Sequence, residues 1–79
     1  MVVQNILITG SGSGLGRAMA IRLAGDGHNI ILNGRTESKL IETKKLLEKF
    51  NDNISIKVGD VSSSKFVESM ISEIVSEEG

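Results

Sequence analysis

What most constrains this chain is a glycine cluster caught between two opposed patterns: Ile6-Leu7-Ile8, then Thr9-Gly10-Ser11-Gly12-Ser13-Gly14-Leu15-Gly16, then a helical stripe. The apolar run is β-branched and too short for a helix, so it reads as a strand buried on both faces. Leu15, Ala18, Met19 and Leu23 then recur at helical spacing. The glycines must therefore carry a buried strand directly into a helix. That helix ends at Gly25-Asp26-Gly27, where a glycine can take the left-handed conformation, and Ile30-Ile31-Leu32 repeats the buried-strand pattern before Asn33-Gly34. Strand, helix and strand make a βαβ unit.

The rest continues the alternation. From Thr36 as N-cap, a second helix carries Leu40, Leu47 and Phe50 on one stripe, with Glu42, Lys45 and Lys49 toward water. Ile54, Ile56 and Val58 alternate with Ser55 and Lys57, as expected of a strand at the sheet edge. A serine trio after Asp60-Val61 offers a cap for a third helix, whose apolar face is Phe66, Met70 and Ile74 with Val67, Ile71 and Val75; Glu77-Glu78-Gly79 close the sequence. The expected fold is α/β: a three-layer Rossmann half, βαβαβα, with a parallel sheet of order 3-2-1 and right-handed crossovers. Residues 1–79 form one unit, without proline, linker or internal repeat.

The register of the glycines separates the phosphate-binding patterns. A P-loop needs a Gly-Lys pair five residues after its first glycine, where Leu15 or Arg17 stands here; the G-x-G-x-x-G pattern would end on Leu15, Arg17 or Met19. T-G-x-x-x-G-x-G fits, filled by Thr9, Gly10, Gly14 and Gly16. Gly10 can turn sharply at positive φ, Gly14 lets the backbone approach a pyrophosphate, and Gly16 lets the helix lie against the first strand. The free N–H groups and positive dipole end of that helix suit an anion. Ser11 and Ser13 offer hydroxyl donors. Arg17 either reaches a phosphate or is a solvated first-turn residue, the second being favoured. His28 precedes the second strand, away from the strand ends where ligands bind, and is expected at the surface.

This motif, with the alternation around it, resembles the opening segment of the classical short-chain dehydrogenases and reductases. The resemblance implies a nicotinamide dinucleotide as cofactor, with Thr9 tying the turn to a neighbouring strand. The end of the second strand reads the adenosine ribose, and a carboxylate there suits NAD. Here Asn33-Gly34 is followed by Arg35, whose guanidinium can pair with a 2′-phosphate, so NADP is favoured over NAD. Many NADP members also carry a basic residue where this chain has Ser13. Asp60 and Val61 occupy the family's adenine-bracketing position, although Asp60 alone would read as a turn residue. The candidate cofactor contacts are thus Gly10, Ser11, Ser13, Gly14, Leu15, Gly16, Arg35, Asp60 and Val61.

Composition bounds what else the chain does. Nine basic and ten acidic residues nearly cancel and are spread along the sequence, which gives nucleic acid nothing to grip. There is no cysteine and one histidine, so no metal site is expected, and the missing cysteines fit a reducing cytoplasm. No signal peptide is read at Met1-Val2-Val3-Gln4-Asn5, and the apolar runs fall far short of a membrane span. There is also no tyrosine. The family's proton donor is a tyrosine with a lysine four residues on, so no catalytic residue is expected here and the chain reads as the front of a longer NADP-dependent oxidoreductase, with 3-oxoacyl carrier-protein reductases among the types implied. The alternative is a non-catalytic dinucleotide-binding or assembly module. Because order 3-2-1 leaves the first strand at an edge with no charge or proline in its apolar run, self-association through that strand is expected.

Overall fold

A computed structural model describes residues 3–78; Met1 and Val2, counted above in the test for a leader, and Gly79 at the end of the sequence lie outside the described residues. Six elements alternate: β1 (Asn5–Ile8), α1 (Gly14–Gly25), β2 (Asn29–Gly34), α2 (Glu37–Leu47), β3 (Ile54–Val58) and α3 (Ser64–Glu78). The sheet is parallel in the order β1-β2-β3, with Asn5 opposite Asn29 through Ile8 opposite Leu32, and Ile30 opposite Ile54 through Gly34 opposite Val58. This is the expected α/β order with β2 in the middle. No helix among the described residues is long and apolar enough to cross a membrane.

Strand alternation sorts the side chains onto two faces. Ile8, Ile30, Leu32 and Ile54 form a buried core with Ala20 and Ala24 of α1 and Leu40 and Leu47 of α2, so α1 and α2 share one face. The two alanines let α1 approach the sheet closely. Lys57 points the other way from Ile54 and Ile56, and its ammonium pairs with Glu73 of α3 at 3.0 Å, which puts α3 on the opposite face. There Ile31 and Met70 are buried.

Two expectations about packing are corrected. β1 is buried on one face only: Ile8 is enclosed, but Leu7 keeps 37% of its surface exposed, because α3 covers the β2–β3 side and nothing described covers this flank. The apolar stripe of α2 is Leu40, Thr43 and Leu47, not Leu40, Leu47 and Phe50. The helix ends at Leu47, and Phe50 lies beyond it, exposed. Thr36 stands at the N-cap of α2 with extended backbone, but its side chain makes no capping bond. At α1 the chain leaves through Gly27, which takes φ 86°. Ser63 caps α3, its hydroxyl accepting from the Phe66 amide at 3.3 Å.

A candidate dinucleotide site at the carboxyl ends of the strands

The three strands deliver their carboxyl ends to one rim, where the turns after β1, β2 and β3 meet. An open cleft of about 480 Å³ lies between them, lined by Thr9 and Gly10 from the first turn, Asn33, Gly34 and Arg35 from the second, and Gly59 through Ser62 from the third. A shallower depression adjoins it, where Ser13 and Gly12 face Arg35, Thr36 and Lys39. Gly10, Ser13, Arg35, Asp60 and Val61 therefore gather around one continuous surface. Lys39 is a second cation on this rim. It was missed because a lysine three residues into an exposed helix face resembles any solvated lysine.

The glycine turn is built as its spacing requires, with one change of role. Gly10 and Gly14 take φ of 63° and 58°, which other residues resist. A Cβ on Gly14 would meet nothing within 4 Å, so that side of the turn is open to a ligand. A Cβ on Gly16 would collide with the carbonyl oxygen of Gly10, so Gly16 closes the helix onto the turn itself rather than onto the body of β1. Ser13 is the N-cap of α1 with extended backbone, and its hydroxyl makes no capping bond. Among the described residues no acceptor lies within hydrogen-bond geometry of the Gly12 to Gly16 amides. Leu15, in this first turn, is 77% exposed. Such a helix start suits an anion.

Several side chains have partners that differ from expectation. Ser11 is buried, and its hydroxyl donates to the Asn33 carbonyl at 3.1 Å, so it faces inward and not toward a phosphate. Its amide donates to the same carbonyl at 3.0 Å. Ser11, not Thr9, is thus the tie between the turn and β2. Arg17 is not a solvated residue either. Its side chain is only 26% exposed, with Nε donating to Thr43 Oγ1 at 2.8 Å and a terminal nitrogen donating to the Gly12 carbonyl at 2.6 Å. The same nitrogen reaches the Lys39 carbonyl and the Glu42 carboxylate. Thr43, fully enclosed, donates onward toward the Ser11 carbonyl at 2.9 Å. His28 sits at the opposite end of the sheet as expected, but half-buried, with Nδ1 accepting from the Gln4 amide at 3.1 Å.

At the far side of the cleft, Asn33 is buried and its amide donates to the Lys57 carbonyl at 2.8 Å and the Gly59 carbonyl at 3.4 Å, joining the ends of β2 and β3. A Cβ on Gly59 would overlap the ring of Phe66, so this glycine makes room for the first turn of α3. Asp60 Oδ1 accepts from the Ser62 amide at 2.9 Å. Bonds from the Ser62 amide and hydroxyl hold its carboxyl below the usual aspartate value, with Arg35 adding a smaller pull in the same direction. Arg35 and Asp60 face each other at 3.8 Å, both well exposed, a pairing that contributes little by itself. It does place the guanidinium and the carboxylate on one cleft.

Comparison with known proteins agrees with this geometry. Residues 4–79 match the family described as short chain dehydrogenase. The chain belongs to that family. It is 43% identical over 77 residues to a diacetyl reductase of Staphylococcus epidermidis, covering 96% of this chain and 30% of that protein. With an NADPH-dependent pterin aldehyde reductase of Arabidopsis thaliana it shares 35% identity over 79 residues, 100% of this chain and 32% of the relative. Among solved structures, L-sorbose reductase from Gluconobacter frateurii, complexed with NADPH and L-sorbose, superposes with a TM-score of 0.90 at 31% identity, covering 100% of this chain and 30% of that one. The short-chain dehydrogenase segment described here thus spans about a third of the length of the relatives it matches.

Proposed function

We propose that this chain is the NADP(H)-holding front of a longer short-chain oxidoreductase that interconverts a carbonyl and an alcohol, 3-oxoacyl thioesters being among the substrate classes the sequence resemblance implies. The observation that carries the choice of cofactor is the end of β2: Gly34 offers no carboxylate, and Arg35 stands on the cleft with Lys39 in the adjoining depression. A carboxylate there would accept from both ribose hydroxyls and repel a 2′-phosphate, whereas a guanidinium pairs with it. The residues fit the group: unpaired amides of the turn face the pyrophosphate, Asp60 and Val61 line the adenine side, and the bound nicotinamide supplies the hydride. The NADPH named with two of the relatives supports the same reading.

Calorimetric titration of NADPH and NADH against the wild-type chain and Arg35→Ala tests it. NADPH should bind more tightly than NADH, and the substitution should weaken NADPH by about 1.5–3 kcal/mol, the range for a charge-assisted hydrogen bond, while barely moving NADH. Equal losses for the two cofactors would remove Arg35 from the reading of the phosphate.

A further inference from the structure

Arg17 lies within the glycine turn's own helix yet points away from the cleft, and its closest acceptor is a backbone carbonyl of the turn. In a trans peptide unit the C=O and the following N–H point in opposite directions, and no peptide bond among the described residues is cis. The Ser11 carbonyl is held by Thr43 Oγ1 at 2.9 Å, which sends the Gly12 N–H the other way. The Gly12 carbonyl is held by the Arg17 guanidinium at 2.6 Å, which does the same to the Ser13 N–H. The Ser13 carbonyl accepts from the Arg17 amide at 3.3 Å, the first bond of α1. Three successive carbonyls are thus gripped from the α1–α2 side. Two of these three grips come from Arg17. Glycine imposes no direction on its own peptide units, so without the grip this turn has many conformations to choose from.

We propose that Arg17, seated on Thr43, is a positioning residue that aims the Gly12 and Ser13 amides into the depression these residues share with Arg35 and Lys39, at the 2′-phosphate of bound NADP(H). The inference rests on the dinucleotide reading above and deepens it. Arg17 acts from behind the turn, not as a charge on the phosphate. Its guanidinium serves acceptors on three sides: the Gly12 carbonyl, Thr43 Oγ1, and the Lys39 carbonyl with the Glu42 carboxylate. A lysine ammonium, one point charge on a flexible stem, cannot reproduce that planar fork. Thr43 is the seat: it occupies the middle of the α2 stripe, where an apolar residue would fill the space but leave the guanidinium Nε without its acceptor.

The test uses the 79-residue chain with two ligands, NADPH and NADH, which carries the same adenine, ribose and pyrophosphate but no 2′-phosphate. Affinities and amide shifts are followed by NMR for wild type, Arg17→Ala and Arg17→Lys. Arg17→Ala should weaken NADPH about tenfold or more, as loss of charge-assisted bonds implies, and leave NADH within about twofold. Arg17→Lys should weaken NADPH in the same selective way, and the ligand-free spectra of both variants should move at the Gly12 and Ser13 amides. Equal losses for the two ligands would reduce Arg17 to general support of the fold. Wild-type NADPH affinity in Arg17→Lys would mean that charge, not aim, is what matters, and either result overturns the proposal while leaving the dinucleotide reading standing. Failure of wild type to bind NADPH at all would overturn that reading, and this inference with it.

Discussion

The two faces of the sheet are finished to different degrees. On the α1–α2 side, Ile8, Ile30, Leu32 and Ile54 are sealed beneath two helices, and the polar groups between those helices are paired through Arg17 and Thr43. On the α3 side, Ile31 and Met70 are enclosed, while Leu7 keeps 37%, Ile71 50% and Val75 63% of their surface in solvent. Of the apolar face expected for α3, Met70 is enclosed, Phe66, Val67 and Ile74 are half-buried, and Ile71 and Val75 are left open. The closed face fixes the geometry of the glycine turn.

The contrast is sharpest in the core. Leu40→Ala should cost about 2–5 kcal/mol of stability by opening a cavity under the closed face, whereas Ile71→Ala should stay within about 0.5 kcal/mol. Urea denaturation of the two variants measures this, and comparable losses would mean that α3 is as tightly packed as α2.

The open side makes the next test. Among the described residues β1 pairs only with β2, so half of its backbone groups have no strand partner there, and Leu7 is exposed beside them. Such an edge is a template for pairing with another chain, and the expected partner is a second copy that continues the sheet across a two-fold axis. Sedimentation should show mass rising toward a dimer with concentration, slow amide exchange over residues 5–9, and a return to monomer in Leu7→Lys. A concentration-independent monomer with fast-exchanging amides there would show that the edge is tolerated bare.

The smallest expected effect lies at the cleft. Asp60 should titrate below the usual aspartate value, and because its carboxyl is depressed, the Ser62 bonds persist above that midpoint and are lost only as the pH falls through it. By NMR, Ser62→Ala, which removes the hydroxyl bond and keeps the amide bond, should raise the midpoint more than Arg35→Ala does, since the hydroxyl bond outweighs the pull of the guanidinium. The reverse order would make the Arg35–Asp60 pair the dominant contact.

Element order and the glycine register were legible because each is a local pattern: a short β-branched run, a helical spacing, a glycine where φ must be positive. The sorting of Ser11, Arg17, Asn33 and Thr43 was not. Most of their partners lie 22 to 32 residues away, and most are backbone carbonyls. Every residue has such a carbonyl, so no pairing of side-chain types in the sequence announces the bond. One sign was present: Thr43 stands three residues after Leu40 and four before Leu47, a polar residue on a buried stripe, which requires a partner. Reading the stripe through Phe50 passed over it. The half-open β1 was illegible for another reason, since an apolar run records the environment a strand is made for, including cover that these residues do not supply.

Asn33 sets a limit of its own on what the cleft accepts. Its side chain is a rigid crossbar: bonded to carbonyls of β3 and the loop beyond it, it allows the second and third strand ends little spread before those bonds fail. Arg35 and Asp60 are mounted on the two sides of that bar. The span from Arg35 to Asp60 is therefore a gauge set by the sheet, and a ligand that is to meet both charges has to match it.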